Sequence, residues 1–152
     1  MNELCITIHN VTDAGHEALI RHIKRTLYDY DPELQVTIPE SSLWLSSRKG
    51  HSRLYYSECY FIETESRHLL FHCTNKVIRK KGRICELLKK LPEDTFFRCN
   101  NSYIVNLHHV REVLPEGDRY SLRLRSGAVV PLSRSHYHEC RMKLGILNAS
   151  DS

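Results

Sequence analysis

Two groups of residues have side chains and spacings that could support catalysis or metal binding. Glu63 and Glu65 lie on one face if their segment is a strand, as a general acid/base pair or a cation site requires. No second acidic cluster accompanies them, which favours a structural or surface role. His136, His138 and Cys140 are zinc-binding residue types, but this spacing places them on one face only in a strand. We therefore predict neither a catalytic site nor a metal site.

The six cysteines are scattered along the chain and include no C-x-x-C pair. The N-terminal sequence lacks the basic and apolar regions of a signal peptide, and no apolar run approaches the roughly 20 residues of a membrane span. We therefore expect a cytoplasmic protein whose thiols are reduced and mostly fill the core. Cys99 follows Arg98, which leaves two interpretations: a passive thiol, which we favour, or a thiol of lowered pKa that senses oxidation.

Short motifs that bind phosphates or activate a serine are also missing. No glycine-rich loop matches a Walker or dinucleotide-binding pattern, and no G-x-S-x-G elbow surrounds Ser102 or Ser133. We therefore expect a protein that is not an enzyme, with no cofactor and no small-molecule substrate.

Charge is unevenly distributed along the 152 residues. Residues 1–42 contain seven acidic and three basic residues, a net charge of −4, and residues 43–152 contain 11 acidic and 19 basic residues, a net charge of +8. A basic body behind an acidic leader suggests that the larger part binds a polyanion, although ordinary surface solvation explains the charge equally well.

The hydrophobic pattern of residues 1–42 predicts a small β-α-β leader. Residues 4–9 and 34–38 alternate as half-buried strands do. Between them, Thr12-Asp13 is a plausible helix start, and Asp31-Pro32 ends the helix. The leader is too short for a phosphoacceptor receiver domain, which needs a complete doubly wound sheet.

Residues 43–147 are predicted to form a mainly β domain with short helices, followed by a disordered tail at 148–152. Polar breaks separate the predicted strands, which cover residues 43–45, 53–56, 60–62, 68–73, 76–79, 103–105, 110–114, 119–125 and 128–130. One helix runs from Gly82 to Pro92, and another begins at Ser133 as its N-cap and ends near Leu144. In the strand at 119–125, apolar residues alternate with Ser121, Arg123 and Arg125, which predicts one buried and one cationic face.

The most informative segment of the chain is Phe96 to Leu107. Its polar insert, Arg98 to Ser102, lies between aromatic and aliphatic residues and suits an exposed turn between core strands. Its small polar side chains also suit contacts with phosphates and base edges, where Asn pairs with adenine and Arg with guanine.

Here the chain resembles the LytTR family of bacterial DNA-binding domains over roughly residues 43–146. The family's hallmark is an F-x-R-x-x-x-S-Y-x-V-N-x-x-x-I core, followed by a hairpin and a short helix with a "pvSr" start. The matching residues are Phe96, Arg98, Ser102, Tyr103, Val105, Asn106 and Val110, then Pro131, Leu132, Ser133 and Arg134. Upstream, residues 60–65 resemble the family's "I-x-Y-I-E" strand.

The resemblance implies an elongated antiparallel β-sheet domain of a transcription regulator that inserts loops into successive major grooves of repeated promoter elements. Arg67 is then expected in one major groove, Asn101 on the DNA between the grooves, and Arg134 in the next major groove. Supporting contacts with the DNA backbone are expected to involve Arg98, Asn100, Ser102 and Ser133. Lys80 and Lys81 are weaker candidates for such contacts.

Further partners implied by the resemblance are a second copy of the chain, at least on DNA, and a small membrane-protein inhibitor. The leader could pair with another copy, dock a partner or shield the basic body, and the sequence leaves these alternatives open. The alternative function is a protein-interaction module whose leader binds a regulatory partner, with only incidental, non-specific DNA affinity. The usual family member carries a receiver domain that the pattern of this chain does not show.

Overall fold

The computed structural model describes residues 3–6, 13–37 and 42–146. The chain divides into two compact units, Met1–Glu58 and Cys59–Ser152. The domain boundary at residues 42–43 stays a prediction, and the predicted tail at 148–152 lies outside the described residues, as do parts of the predicted leader strands.

The first unit begins with β1 (Glu3–Cys5), α1 (Asp13–Tyr30) and β2 (Gln35–Thr37). The strands β1 and β2 pair in parallel, so this part of the chain has the expected β-α-β order. Helix α1 ends before Pro32, which has no N–H to continue the helical hydrogen bonds. The Asp31 carboxylate accepts a hydrogen bond from the backbone N–H of Glu33 at 3.0 Å and fixes the exit turn.

The second part of this unit is an antiparallel hairpin of β3 (Ser42–Ser47) and β4 (Gly50–Tyr55). Its alternation places Leu45 and Leu54 on the buried face. Trp44 lies on the other face, 61% exposed, and the Arg53 guanidinium lies 5.6 Å from the centre of the Trp44 ring. A single 3-10 turn follows at Tyr56–Glu58.

The second unit contains a five-stranded antiparallel sheet with the order β7-β6-β5-β9-β8. The strands are β5 (Cys59–Glu65), β6 (His68–Cys73), β7 (Val77–Lys81), β8 (Phe96–Asn100) and β9 (Tyr103–Asn106). A short helix, α2 (Ile84–Leu88), connects β7 to β8 and buries Ile84 and Leu87. The order places β5 between β6 and β9, so the β5–β6 and β8–β9 turns lie at the same end of the sheet.

A three-stranded antiparallel sheet follows, formed by β10 (Val110–Glu116), β11 (Arg119–Leu124) and β12 (Val129–Leu132). Helix α3 (Arg134–Leu144) comes next and ends at Gly145, whose φ of 69° is left-handed. A shared core joins β8, β9, β11, β12 and α3; its fully buried members include Cys99, Val105, Leu122, Val130 and Cys140. The mainly β fold with short helices that we expected is therefore confirmed.

The prediction that Arg98 to Ser102 forms an exposed turn is wrong for most of the segment. Strand β8 continues to Asn100, and only Asn101 and Ser102 form the turn. Cys99 is fully buried. A bulge between Arg98 and Asn100 accommodates Cys99 as an extra residue opposite β9, so the strand keeps its pairing up to Asn100.

Two smaller expectations about side chains also need correction. Ser121 is buried and donates a hydrogen bond to the Glu116 carboxylate at 2.9 Å, so the face of β11 that was expected to be cationic is not uniformly so. Arg123 on that face is paired with Glu112 at 2.9 Å. Ser133 occupies the N-cap position of α3, but its hydroxyl hydrogen-bonds the His136 ring rather than a helix N–H.

Candidate nucleic-acid interface

Two hairpin turns lie side by side at one end of the five-stranded sheet. The β5–β6 turn contains Ser66 and Arg67, and the β8–β9 turn contains Asn101 and Ser102. They are neighbours because β5 pairs with β9, and the backbone N–H of Thr64 donates to the Ser102 carbonyl at 2.9 Å. The fold thus brings two segments that are distant in sequence to one edge.

The segment that follows β7 joins the same end. Lys81 lies opposite His68 in the β6–β7 register, and the backbone N–H of Gly82 donates to the Arg67 carbonyl at 3.0 Å. This bond ties the β5–β6 turn to the start of α2. Ser66 has a positive φ of 56°, an uncommon backbone conformation for a residue other than glycine, which gives the turn a defined shape.

Together these segments surround an open concavity of about 730 Å³. Four basic residues and one acidic residue line it, namely Arg67, Lys81, Arg83, Arg98 and Glu86. Asn101 also lines it. A recess with excess positive charge attracts anions more strongly than a flat surface of the same charge.

Arg134 lies outside this concavity but is attached to the same part of the sheet. It is the first residue of α3, and the preceding Ser133 donates its backbone N–H to the Cys99 carbonyl at 2.9 Å. Strand β8 reaches the Asn101 turn within two residues of Cys99. The helix therefore begins beside the strand that carries the turn.

The three residues that we expected to reach furthest into DNA are all exposed: Arg67, Asn101 and Arg134. Among the described residues, the Arg67 and Arg134 guanidinium groups have no hydrogen-bonding or ion-pair partner. Their charges are thus available to an external ligand.

The supporting residues do not all share this environment. Lys80 lies opposite the buried Leu69 and is half-buried, whereas Lys81 lies on the other face of β7 and is exposed. Asn100 and Ser102 are half-buried, and the side-chain oxygen of Asn100 accepts a hydrogen bond from the Ser102 N–H at 2.7 Å. Of the two lysines, only Lys81 joins the concavity.

Arg83 is a candidate that the sequence interpretation missed. It is exposed, lines the concavity, and lies at the N-cap position of α2. The sequence signal was the continuation of the basic run Lys80-Lys81 across Gly82. That run indicates a shared site only when the chain turn at Gly82 is known.

Of the two carboxylates with potential acid/base chemistry, Glu63 is part of a polar network with His72 and Tyr103. The Glu63 carboxylate lies 2.9 Å from Nε2 of His72. Burial raises the pKa of Tyr103, and a hydrogen bond to Glu63 adds to the increase. Glu65 is exposed at the end of β5. The contacts of Glu63 favour a structural role and the exposure of Glu65 favours a surface role, the two roles that we expected for the pair.

The candidate zinc ligands of α3 are separated by the helix. Cys140 is buried in the core, whereas His138 is exposed. Within residues 3–6, 13–37 and 42–146, no group of three His, Cys, Asp or Glu side chains could hold a metal ion.

The redox interpretation of Cys99 requires a lowered pKa, and the structure contradicts it. Burial, with a smaller contribution from the nearby Cys140 thiol, raises the pKa of Cys99 to about 12. Burial likewise raises the pKa of Cys140 to about 11. Both thiols are therefore protonated at neutral pH, as passive core residues are.

Comparison with known proteins finds a family match that begins at the end of the first unit and covers the second unit through α3. A family model described as the LytTr DNA-binding domain matches residues 49–145. A solved LytTr DNA-binding domain, from a Bacillus cereus protein described as a methyl-accepting/DNA response regulator, superposes with a TM-score of 0.62 at 26% identity. The match covers 71% of this chain and 100% of that one.

Curated relatives include regulators from several bacteria. The chain is 28% identical over 102 residues to the sensory transduction protein LytT of Enterococcus faecalis, covering 64% of this chain and 42% of the relative. It is 33% identical over 87 residues to the transcriptional regulatory protein YpdB of Escherichia coli K12, covering 56% of this chain and 36% of the relative. The chain thus spans less than half the length of these relatives.

No helix in the described part of the chain is long and apolar enough to cross a membrane. The family match extends over more than half of the sequence and includes both turns, the basic concavity and the start of α3. The chain therefore belongs to the LytTR family of DNA-binding domains.

Proposed function

We propose that this protein is a transcriptional regulator that binds double-stranded DNA sequence-specifically. It inserts its loops into successive major grooves of repeated promoter elements. The observation that carries the proposal is the placement of the Arg67 turn, the Asn101 turn and the start of α3 along one part of the sheet. All three present exposed polar or cationic side chains, and the chain belongs to a family of DNA-binding domains.

Arg67 and Arg134 are the proposed base-reading residues, each in its own major groove. An arginine without an internal partner can form two parallel hydrogen bonds with the O6 and N7 atoms of guanine. Arg134 also lies at the N-terminus of α3, where free N–H groups and the helix dipole favour a neighbouring phosphate. Asn101 is proposed to contact the DNA between the two grooves.

Lys81, Arg83, Ser102 and Ser133 are the proposed phosphate contacts. Lys81 and Arg83 supply charge from the concavity, and Ser102 and Ser133 lie at the turn and at the helix start. Lys80 is a weaker candidate because it is half-buried on the opposite face of β7. Asn100 contributes through the shape of the turn, since its side-chain oxygen already accepts the Ser102 N–H.

We also propose that the protein works in the cytoplasm and binds repeated elements as two copies. Repeats about 10 base pairs apart would place both copies on one face of the duplex. A small membrane-protein inhibitor is the further partner that we propose for the leader.

The test is selection of bound fragments from random duplex DNA, followed by affinity measurements over a series of salt concentrations. We expect a preferred repeated sequence and a strong salt dependence set by several phosphate contacts. Weak binding to all duplexes with no sequence preference would instead support a protein-interaction module.

A further inference from the structure

The turn at Asn101 and Ser102 is held by three hydrogen bonds, which involve Arg98, Asn100 and Thr64. The Arg98 guanidinium donates from Nη2 to the Asn101 carbonyl at 2.9 Å. The Ser102 N–H donates to the Asn100 side chain at 2.7 Å. The Ser102 carbonyl accepts from the Thr64 N–H at 2.9 Å, which ties the turn to β5.

Arg98 differs from the other basic residues of the concavity because its guanidinium is already engaged. Its Nε atom is buried and has no hydrogen-bonding partner among the described residues, and its Nη2 atom is used by the turn. Arg67 and Arg83, by contrast, are exposed. A buried N–H without an acceptor lowers the stability of the fold, so an arginine in this position requires a compensating gain from another interaction.

The gain is the fixed geometry of the turn. A planar guanidinium holds its N–H groups in one rigid arrangement, which a lysine ammonium on a flexible stem does not reproduce. Fixing a loop before it binds removes the entropic cost of ordering it in the complex. The exposed Asn101 side chain is therefore presented by a turn whose backbone is already set.

We propose that Arg98 is a positioning residue for DNA binding, which acts through the Asn101 turn and does not itself contact a phosphate. The inference rests on the proposed DNA-binding function and assigns Arg98 a different role from the backbone contact that the family resemblance implies. It predicts that the effect of Arg98 on affinity depends on Asn101.

The experiment is a double-mutant cycle on the full chain, with the selected duplex as ligand. Arg98→Ala weakens specific binding about tenfold, as expected for loss of a hydrogen bond from a charged donor. The double variant Arg98→Ala/Asn101→Ala binds within about twofold of Asn101→Ala alone. In the control cycle, Arg98→Ala and Arg134→Ala give independent losses, since Arg134 makes no contact with the turn residues among the described contacts.

Salt dependence separates positioning from direct contact. If Arg98 touched a phosphate, Arg98→Ala would reduce the steepness of the negative slope of log K against log salt by about 0.9. The positioning role leaves the slope at the parent's value. Additive losses in the first cycle, a reduced slope, or unchanged affinity in Arg98→Ala would each overturn the inference.

A second variant covers the case in which Arg98→Ala does not fold. Arg98→Lys retains the charge, so a phosphate contact would keep nearly the parent's affinity. The positioning role predicts a loss that again disappears in the Asn101→Ala background. If the parent chain itself shows no sequence-specific binding, the proposed function fails; if it binds and only the cycle is additive, the role of Arg98 alone is wrong.

Discussion

The backbone N–H of Ser133 donates to the Cys99 carbonyl at 2.9 Å, which joins the start of α3 to the strand that leads into the Asn101 turn. This bond fixes where Arg134 lies relative to the turn, although the two residues come from different elements. Cys99 and Cys140 belong to the same buried core, so the strand and the helix that this bond joins are also packed against each other. The proposed contact residues thus lie in two-residue turns between paired strands and at the start of a helix, rather than in long loops.

Base reading by Arg67 and Arg134 is tested by replacing each with alanine. Each substitution should weaken binding to the preferred sequence by about 1–3 kcal/mol, because an arginine–guanine pair is lost. The fold should survive, since both side chains are exposed. Competition binding at constant salt measures the loss, and circular dichroism checks the fold.

The matched control for these arginines is Arg111→Ala. Arg111 is also exposed, but it follows the end of β9 that lies opposite the Asn101 turn. Parent-like affinity of both Arg67→Ala and Arg134→Ala, or an equal loss in Arg111→Ala, would contradict the assignment.

Lys81 and Arg83 are expected to act through charge alone. Substituting either by alanine should weaken binding to preferred and unrelated duplexes to a similar extent. It should also reduce the steepness of the negative slope of log K against log salt by about 0.9. Affinities over a salt series provide both quantities. Lys89→Ala is the control, because this exposed lysine at the other end of α2 does not line the concavity; a selective loss on the preferred sequence alone would argue for base reading instead.

Asn106 is expected to stabilise the fold without taking part in DNA binding. It is 1% exposed, donates to the Cys59 carbonyl at 3.0 Å, and accepts the His108 N–H at 3.0 Å. Asn106→Ala removes the donor to the carbonyl of the buried Cys59 and the acceptor of the half-buried His108 N–H, and should reduce the free energy of unfolding by about 1–3 kcal/mol. Urea denaturation measures the loss. Asn75→Ala, in the exposed β6–β7 turn, should be near neutral; equal stability of the two variants would refute this role.

The raised pKa of Cys99 predicts a loss of stability in alkali. The pKa is 9.0 for an ordinary cysteine and about 12 in the fold, so between these values the unfolded chain releases the proton while the folded protein retains it. Stability is therefore fully present below pH 9 and falls as the pH rises toward 12, by up to about 1.4 kcal/mol per pH unit.

Denaturant unfolding between pH 8 and about pH 11 checks this sign. Cys99→Ala should be less stable than the parent at pH 8, because it leaves a cavity, but its stability should fall less steeply with pH. The control is Val105→Ala, which also leaves a cavity in this core but removes no thiol, and should keep the parent's slope. An unchanged slope in Cys99→Ala would show that this thiol is not the titrating group.

Local patterns in the sequence were sufficient to predict most of the helices and strands. Asp31-Pro32 ends α1 and Gly145 ends α3, because a missing N–H and a left-handed backbone act on the residues next to them. The spread of matching motif residues also identified the family. The polar residues from Arg98 to Ser102 predict a turn, but β8 continues to Asn100, because strand pairing depends on the neighbouring backbone rather than on side-chain polarity.

What the sequence determined by itself is thus the order of strands and helices apart from β8, the acidic and basic division of the chain, and the family to which it belongs. The tertiary structure decided which of the polar residues meet. Arg67, Arg83 and Asn101 come together only because β5 lies between β6 and β9. A period-two pattern specifies the two faces of a strand but not its neighbours, so the hydrogen-bonded order of the sheet, and the site at its end, depend on the folded chain.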